Sequence, residues 1–352
     1  MEKLTPTPKK YYDELNIFRA LIIIWVTLGH STDYVAAYPF SGFLKDYAYS
    51  FHMCAFFVLS GILIAKKLRA IQSFKDAGKL ALNRLERLIV PYLFFSVVSY
   101  VLKFFLEKYA FNAITENPVK DVLLGVNNPN GGIWFLHTLF VLSMVGILLC
   151  KVPDYITLMI MAGLKIATLF VDIPYFGFAP LGNIYQYGFY FFLGVFLYRY
   201  YDGISSFLQP FFQKKRVITF GVSLLALVDT FAVFYVIRIQ HAYTPVVRFL
   251  LSVAHILVWY LLAHCINLIR PAKKGLMVVG NYGMDIYMLG YYVQTAVRVV
   301  FGTILGMPFL FFTSLMFILG LLLPIPISKF IVRKVRVLRM LMLGDFSKSK
   351  RQ

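Results

Sequence analysis

Apolar runs of membrane-spanning length alternate along this chain with short polar stretches rich in lysine and arginine. A helix needs about 20 residues to cross the hydrocarbon core of a bilayer, and runs near that length recur from Asn16 to Phe330. The pattern predicts about ten spans, over residues 16–34, 51–68, 88–106, 133–150, 155–171, 184–200, 217–236, 247–269, 282–301 and 308–330. Lys165 and Asp172 interrupt the fifth. The expected fold class is therefore an all-α integral membrane protein, a polytopic bundle forming a single domain over residues 1–352. Residues 1–15 read as a cytoplasmic N-tail and 331–352 as a basic cytoplasmic C-tail. The polar N-tail and the lack of a small-residue cleavage site after the first apolar run argue against a cleavable signal peptide.

Composition agrees. Hydrophobic residues make up 60% of the chain and charged residues only 14%, against roughly a quarter charged in soluble domains. The net charge of +19 comes from lysines and arginines that flank spans, mostly on the side of the membrane holding the N-terminus. By the positive-inside rule both termini lie in the cytoplasm, and an even number of spans fits. These basic clusters suit anionic lipid headgroups. Nucleic acid is not an expected partner, because no soluble module exists to present the charge. Cys54, Cys150 and Cys265 fall within spans without metal-ligand spacing and read as packing residues. No metal is expected.

The candidate chemistry begins in the first span. Arg19 and His30 have ten residues between them. Eleven helical steps make three turns plus roughly 20°, so both side chains face one way about 16 Å apart. Ionisable groups inside a membrane are expensive and point to function. His52, in the second span, counts to the same depth as His30. It either borders the same polar chamber or caps the outer end of its helix. Asp33, one turn above His30, is a candidate to orient the imidazole. Arg84 and Arg87 share a helix face at the cytoplasmic boundary. They read either as a guanidinium pair for phosphate or as an ordinary positive-inside anchor, and Pro91 should kink or open the helix just above them.

Other polar features are weaker. The cluster from Asn127 to Gly132 reads as a turn or lid on the outer face, and residues 70–86 as an interfacial amphipathic segment. His137 lies one turn from Trp134 and is a candidate lining residue of the same cavity. Asp229, His255 and Asp285 are expected to set helix packing, whereas His241 and His264 read as solvated.

Taken in order, Arg19 and His30, the Phe-Phe-x-x-Ser-Gly of Phe56 to Gly61, the Arg-x-x-Arg of Arg84 and Arg87, and Trp134-Phe135-Leu136 form a recognisable series. The chain resembles the membrane-bound acyltransferase-3 family over nearly its whole length. That resemblance implies a ten-helix domain in a bacterial inner or cytoplasmic membrane, using cytoplasmic acyl-coenzyme A, typically acetyl-CoA, to O-acylate carbohydrates. The implied partners are acyl-CoA, membrane lipids and a carbohydrate or lipid-linked glycan acceptor. By the same resemblance Arg19 and His30 are catalytic, and Arg19, Arg84 and Arg87 hold the donor. His52, Asp33, Ser60, Trp134 and His137 are possible cavity-lining residues. Many relatives place a histidine near the position of Gly290, which this chain does not.

The residues support that chemistry on their own terms. Moving an acyl group from a thioester to a hydroxyl needs a base for the alcohol proton, and an imidazole is closest to neutrality. His30 as a nucleophile is the other option. The competing reading is a transporter or lipid-carrier flippase, which also combines many spans with polar interior residues. A transporter should carry paired broken helices in repeated halves, and no repeat is visible in this sequence.

Overall fold

The computed structural model describes residues 12–33, 39–105 and 117–347, and among them every regular element is helical. The first is α1 (Asp13–Thr32), followed by α2 (Pro39–Arg69) and α3 (Phe74–Arg84). A π-turn (Leu85–Ile89) joins α3 to α4 (Val90–Phe105), and α5 (Pro118–Leu124) is a short helix in the loop that follows. Then come α6 (Trp134–Leu148), α7 (Asp154–Ala167), α8 (Ala179–Leu197) and α9 (Tyr201–Lys214). Next are α10 (Arg216–Ile239), α11 (Pro245–Asn267), α12 (Arg270–Asn281) and α13 (Gly283–Val297). The chain closes with α14 (Phe309–Leu322), α15 (Pro324–Ile327) and α16 (Arg336–Leu343).

Among the described residues, six helical stretches are long and apolar enough to cross a membrane: Asp13–Thr32, Phe40–Arg69, Phe74–Phe105, Val217–Ile239, Pro245–Asn267 and Phe309–Val332. The remaining predicted spans are helical but weaker. α6, α7 and α13 have 15, 14 and 15 residues, short of the usual crossing length. α8 has 19 residues, but Asn183, Gln186 and three tyrosines dilute its apolar character.

α1 is the central helix. It packs against α2, α11, α12, α13 and α14, which is why Ile17, Ala20, Ile22 and Ile23 are fully buried around its circumference. Arg19 and His30 are thereby held partly buried among these neighbours.

α2 is the largest departure from the predicted boundaries. It begins at Pro39 rather than at residue 51 and runs for 31 residues, about 46 Å. Its first turns carry Lys45 and Asp46, which lower the local hydropathy but have partners. Lys45 pairs with Asp33 at 3.1 Å and Asp46 with Arg238 at 2.7 Å.

α2 also crosses α8 at very close range. A Cβ on Gly61 would strike the Phe191 carbonyl, and one on Gly194 would strike the Val58 carbonyl. Lipid tails give apolar helices little reason to associate, so close backbone approach through small residues supplies the contact instead. The glycine of the Phe-Phe-x-x-Ser-Gly stretch is thus a packing residue, with Phe57 fully buried beside it.

α3 forms where an amphipathic segment was expected. Ser73 and Asp76 make a reciprocal capping box, which satisfies two orphan N–H groups at its start. At the far end Pro91 lacks the N–H that would bond to Arg87, four residues back. The helix widens there, with the Val90 N–H reaching the Leu85 carbonyl. The opening expected near Pro91 is therefore a π-turn that contains Arg87 itself.

Candidate active site

His30 stands near the end of α1 with its ring against an internal cavity. The cavity is lined by Thr27, Asn130, Gly132, Tyr287, Tyr291 and Gln294, with Ile23, Val26, Ile133, Ile286 and Gly290 completing the wall. It holds about 20 Å³, room for roughly one water molecule.

The imidazole is held from behind. His30 Nδ1 lies 3.2 Å from Asp33 Oδ2 and 3.1 Å from the Tyr49 hydroxyl, which also donates to Asp33 Oδ2 at 2.9 Å. Lys45 neutralises the other carboxylate oxygen. A carboxylate on Nδ1 favours the tautomer with the proton there, leaving Nε2 with its lone pair as the basic nitrogen. Asp33 therefore acts behind the ring, as an orienting carboxylate, and is not among the cavity-lining residues.

His52 is likewise outside the cavity wall. It is 2% exposed, donates from Nδ1 to the Ala48 carbonyl, and sits edge-on to Tyr49. The Tyr49 ring in turn lies edge-on to His30, so it separates the two histidines. Nor does His52 cap a helix end. The upward extension of α2 puts it well inside the helix.

Three further candidates stand apart from His30. Ser60 is half-buried on α2 beside the Gly61 crossing. Trp134 packs on Tyr187 at 5.2 Å and Phe57 at 6.3 Å between ring centroids. His137 sits among Tyr92, Phe178 and Gly125, and its Nδ1 has no hydrogen-bond partner. The helical spacing of Trp134 and His137 is as predicted, but the cavity is reached by the residue just before them, Ile133.

At the opposite end of α1, Arg19 Nη1 reaches Asn16 Oδ1 and the Gly280 carbonyl, each at 3.5 Å. The α12–α13 junction comes this close because Gly280 and Gly283 present no side chain to α1. Arg84 and Arg87 differ from each other more than an ordinary helix face would allow. Arg84 is half-buried and its Nε–H has no hydrogen-bond partner among the described residues, whereas Arg87 is exposed. An unpaired buried guanidinium donor is costly, and an anion at this mouth would satisfy it.

The structure also adds residues the sequence did not single out. Tyr49 fell in a stretch read as loop, and Gln294, which donates to the Thr27 carbonyl at 2.8 Å, fell in an ordinary-looking span. Asn130 came from the loop read as a turn or lid, where its backbone N–H bonds to Asn128 Oδ1. Residues 106–116, upstream of that loop, lie outside the described residues. Gly290 explains one departure from the resemblance. A Cβ there would lie 3.0 Å from the Gly320 carbonyl, leaving no room for a histidine side chain where α13 meets α14. His264, expected in solvent, is buried against Phe212 and Tyr260. Asp285 does organise packing, through Ser328 and a 2.7 Å ion pair to Arg333.

Comparison with known proteins adds one finding. A family model described as an acyltransferase domain, that of acyltransferase-3, matches residues 12–338. No curated protein and no solved structure matches the chain. The matched stretch takes in Arg19, His30, Arg84 and Arg87, and with its multiple apolar helices the chain belongs to the acyltransferase-3 family of membrane acyltransferases.

Proposed function

We propose that this membrane acyltransferase is an O-acetyltransferase, moving acetyl from cytoplasmic acetyl-CoA to a hydroxyl of a cell-envelope or exported glycan. The single observation that carries the proposal is the His30 site: a ring whose Nδ1 is engaged by Asp33 and Tyr49, on a residue that lines a small, partly open cavity. In this reading all ten predicted apolar segments cross or enter the bilayer, with both termini in the cytoplasm. The mouth with Arg19, Arg84 and Arg87 then faces the donor, and His30 lies about 16 Å along α1 from Arg19, comparable with an extended pantetheine arm.

The chemistry follows from those positions. His30 Nε2 takes the proton from the acceptor hydroxyl as its oxygen bonds to the acyl carbon. The carbon–sulfur bond breaks, and the same proton passes from His30 to the leaving sulfur. Asp33 stabilises the imidazolium between those two events. Family membership disfavours the transporter reading. Purified protein in detergent should release free coenzyme A thiol from acetyl-CoA in the presence of an envelope glycan fraction and acetylate that fraction. Release of no thiol, with intact folded protein, would count against the proposal.

A further inference from the structure

The C-terminal segment is clasped onto the Arg84–Arg87 turn. Gly344, in the left-handed conformation at φ +59°, lies so close to the Glu86 carbonyl and Arg87 Cα that a Cβ would collide with both. α16 packs along α4, and Met342 packs against the core cluster that contains Leu88 and Tyr92. This docking sets Arg339 and Asp345 beside the turn. Arg339 Nη2 donates to the Ser347 carbonyl at 2.8 Å, and its Nε lies 3.7 Å from Asp345 Oδ2. That distance is too long for a hydrogen bond, so among the described residues the Nε–H of Arg339, like that of Arg84, is buried without a hydrogen-bond partner. Partial burial alone would push the Asp345 carboxyl up. Hydrogen bonds from Ser347 and the charges of Arg339 and Arg87 outweigh it and hold the group below the usual carboxylate range.

Arg87 and Arg339 thus both act on one carboxylate, Asp345, and Arg84 acts on Arg87 in turn. We propose that Arg339 is a third arginine of a phosphate-binding site completed by the C-terminal segment, and that Asp345 is an internal anion displaced when phosphate binds. The proposal goes beyond the donor reading, on which it rests for the source of the phosphate. Arg339 lies just past the stretch that matches the family, which ends at residue 338.

The experiment is calorimetry of full-length protein and two variants, Arg339→Gln and Asp345→Asn, with acetyl-CoA and separately with adenosine 3′,5′-bisphosphate, at fixed ionic strength. Loss of a charged hydrogen bond should weaken binding of both probes to Arg339→Gln by about tenfold or more. Asp345→Asn should tighten binding several-fold, because the competing carboxylate charge is gone. Wild-type affinity in Arg339→Gln overturns the proposal. So does equal weakening in both variants, which would make the pair a structural clasp only. Should wild type ignore acetyl-CoA while its binding of the bisphosphate depends on Arg339, the anion site stands and the donor reading falls. Binding of neither probe by wild type removes both.

Discussion

Tyr49 holds both members of the His30–Asp33 pair from the neighbouring helix, with its hydroxyl 2.9 Å from Asp33 Oδ2 and 3.1 Å from His30 Nδ1. In the proposed reaction its hydroxyl positions the ring and fixes the tautomer. Tyr49→Phe keeps the ring packing against His52 and removes only the hydroxyl. A lost hydrogen bond of about 1 kcal/mol corresponds to a roughly fivefold fall in kcat, with donor KM unchanged. Steady-state kinetics on the purified variant checks this. A change confined to KM would show that the hydroxyl serves binding instead.

The reciprocal glycines of α2 and α8 make a separate prediction about stability. Gly61→Ala puts a methyl group against the Phe191 carbonyl, where neither backbone can give way without shifting a whole helix. Overpacking of this kind costs about 1–3 kcal/mol. Thermal unfolding of detergent-purified protein should show a lower transition for Gly61→Ala and a comparable one for Gly194→Ala. Transitions at the wild-type temperature would mean that the two helices separate easily.

Much of this was legible in the sequence, for an identifiable reason. Apolar periodicity reports the lipid-length helices, and the Arg19–His30 spacing survives because α1 is one uninterrupted helix. The start of α2 was not legible, since Lys45 and Asp46 look like loop residues until their partners on other elements are known. Tyr49 was hidden with them. The lining of the cavity was unreadable for another cause. Thr27, Asn130 and Gln294 come from three distant segments, and each is an ordinary polar residue by itself. His52 shows the reverse error: equal depth along two helices says nothing of which way a side chain faces.

Pro91 sets the shape of the arginine-bearing turn. Pro91→Ala restores the missing N–H, so the chain from Leu85 to Ile89 can close as ordinary α-helix. Arg84 and Arg87 would then share one face and lose their present division between half-buried and exposed. Donor affinity by calorimetry should fall, while thermal stability stays level or rises because an interior proline is removed. Unchanged donor affinity would detach the π-turn from binding. As a reference, Arg87→Ala should weaken acetyl-CoA binding by about 10- to 150-fold, the equivalent of one charged hydrogen bond.

Under the proposed function, His30 moves the proton while Arg19, Arg84 and Arg87 hold the donor. Acetyl transfer by His30→Ala in reconstituted membranes, measured beside its affinity for acetyl-CoA, separates the two roles. Transfer should fall by about 10² to 10⁴, with donor affinity close to wild type in a variant shown to insert and fold. Transfer at the wild-type rate by His30→Ala would contradict the proposed function.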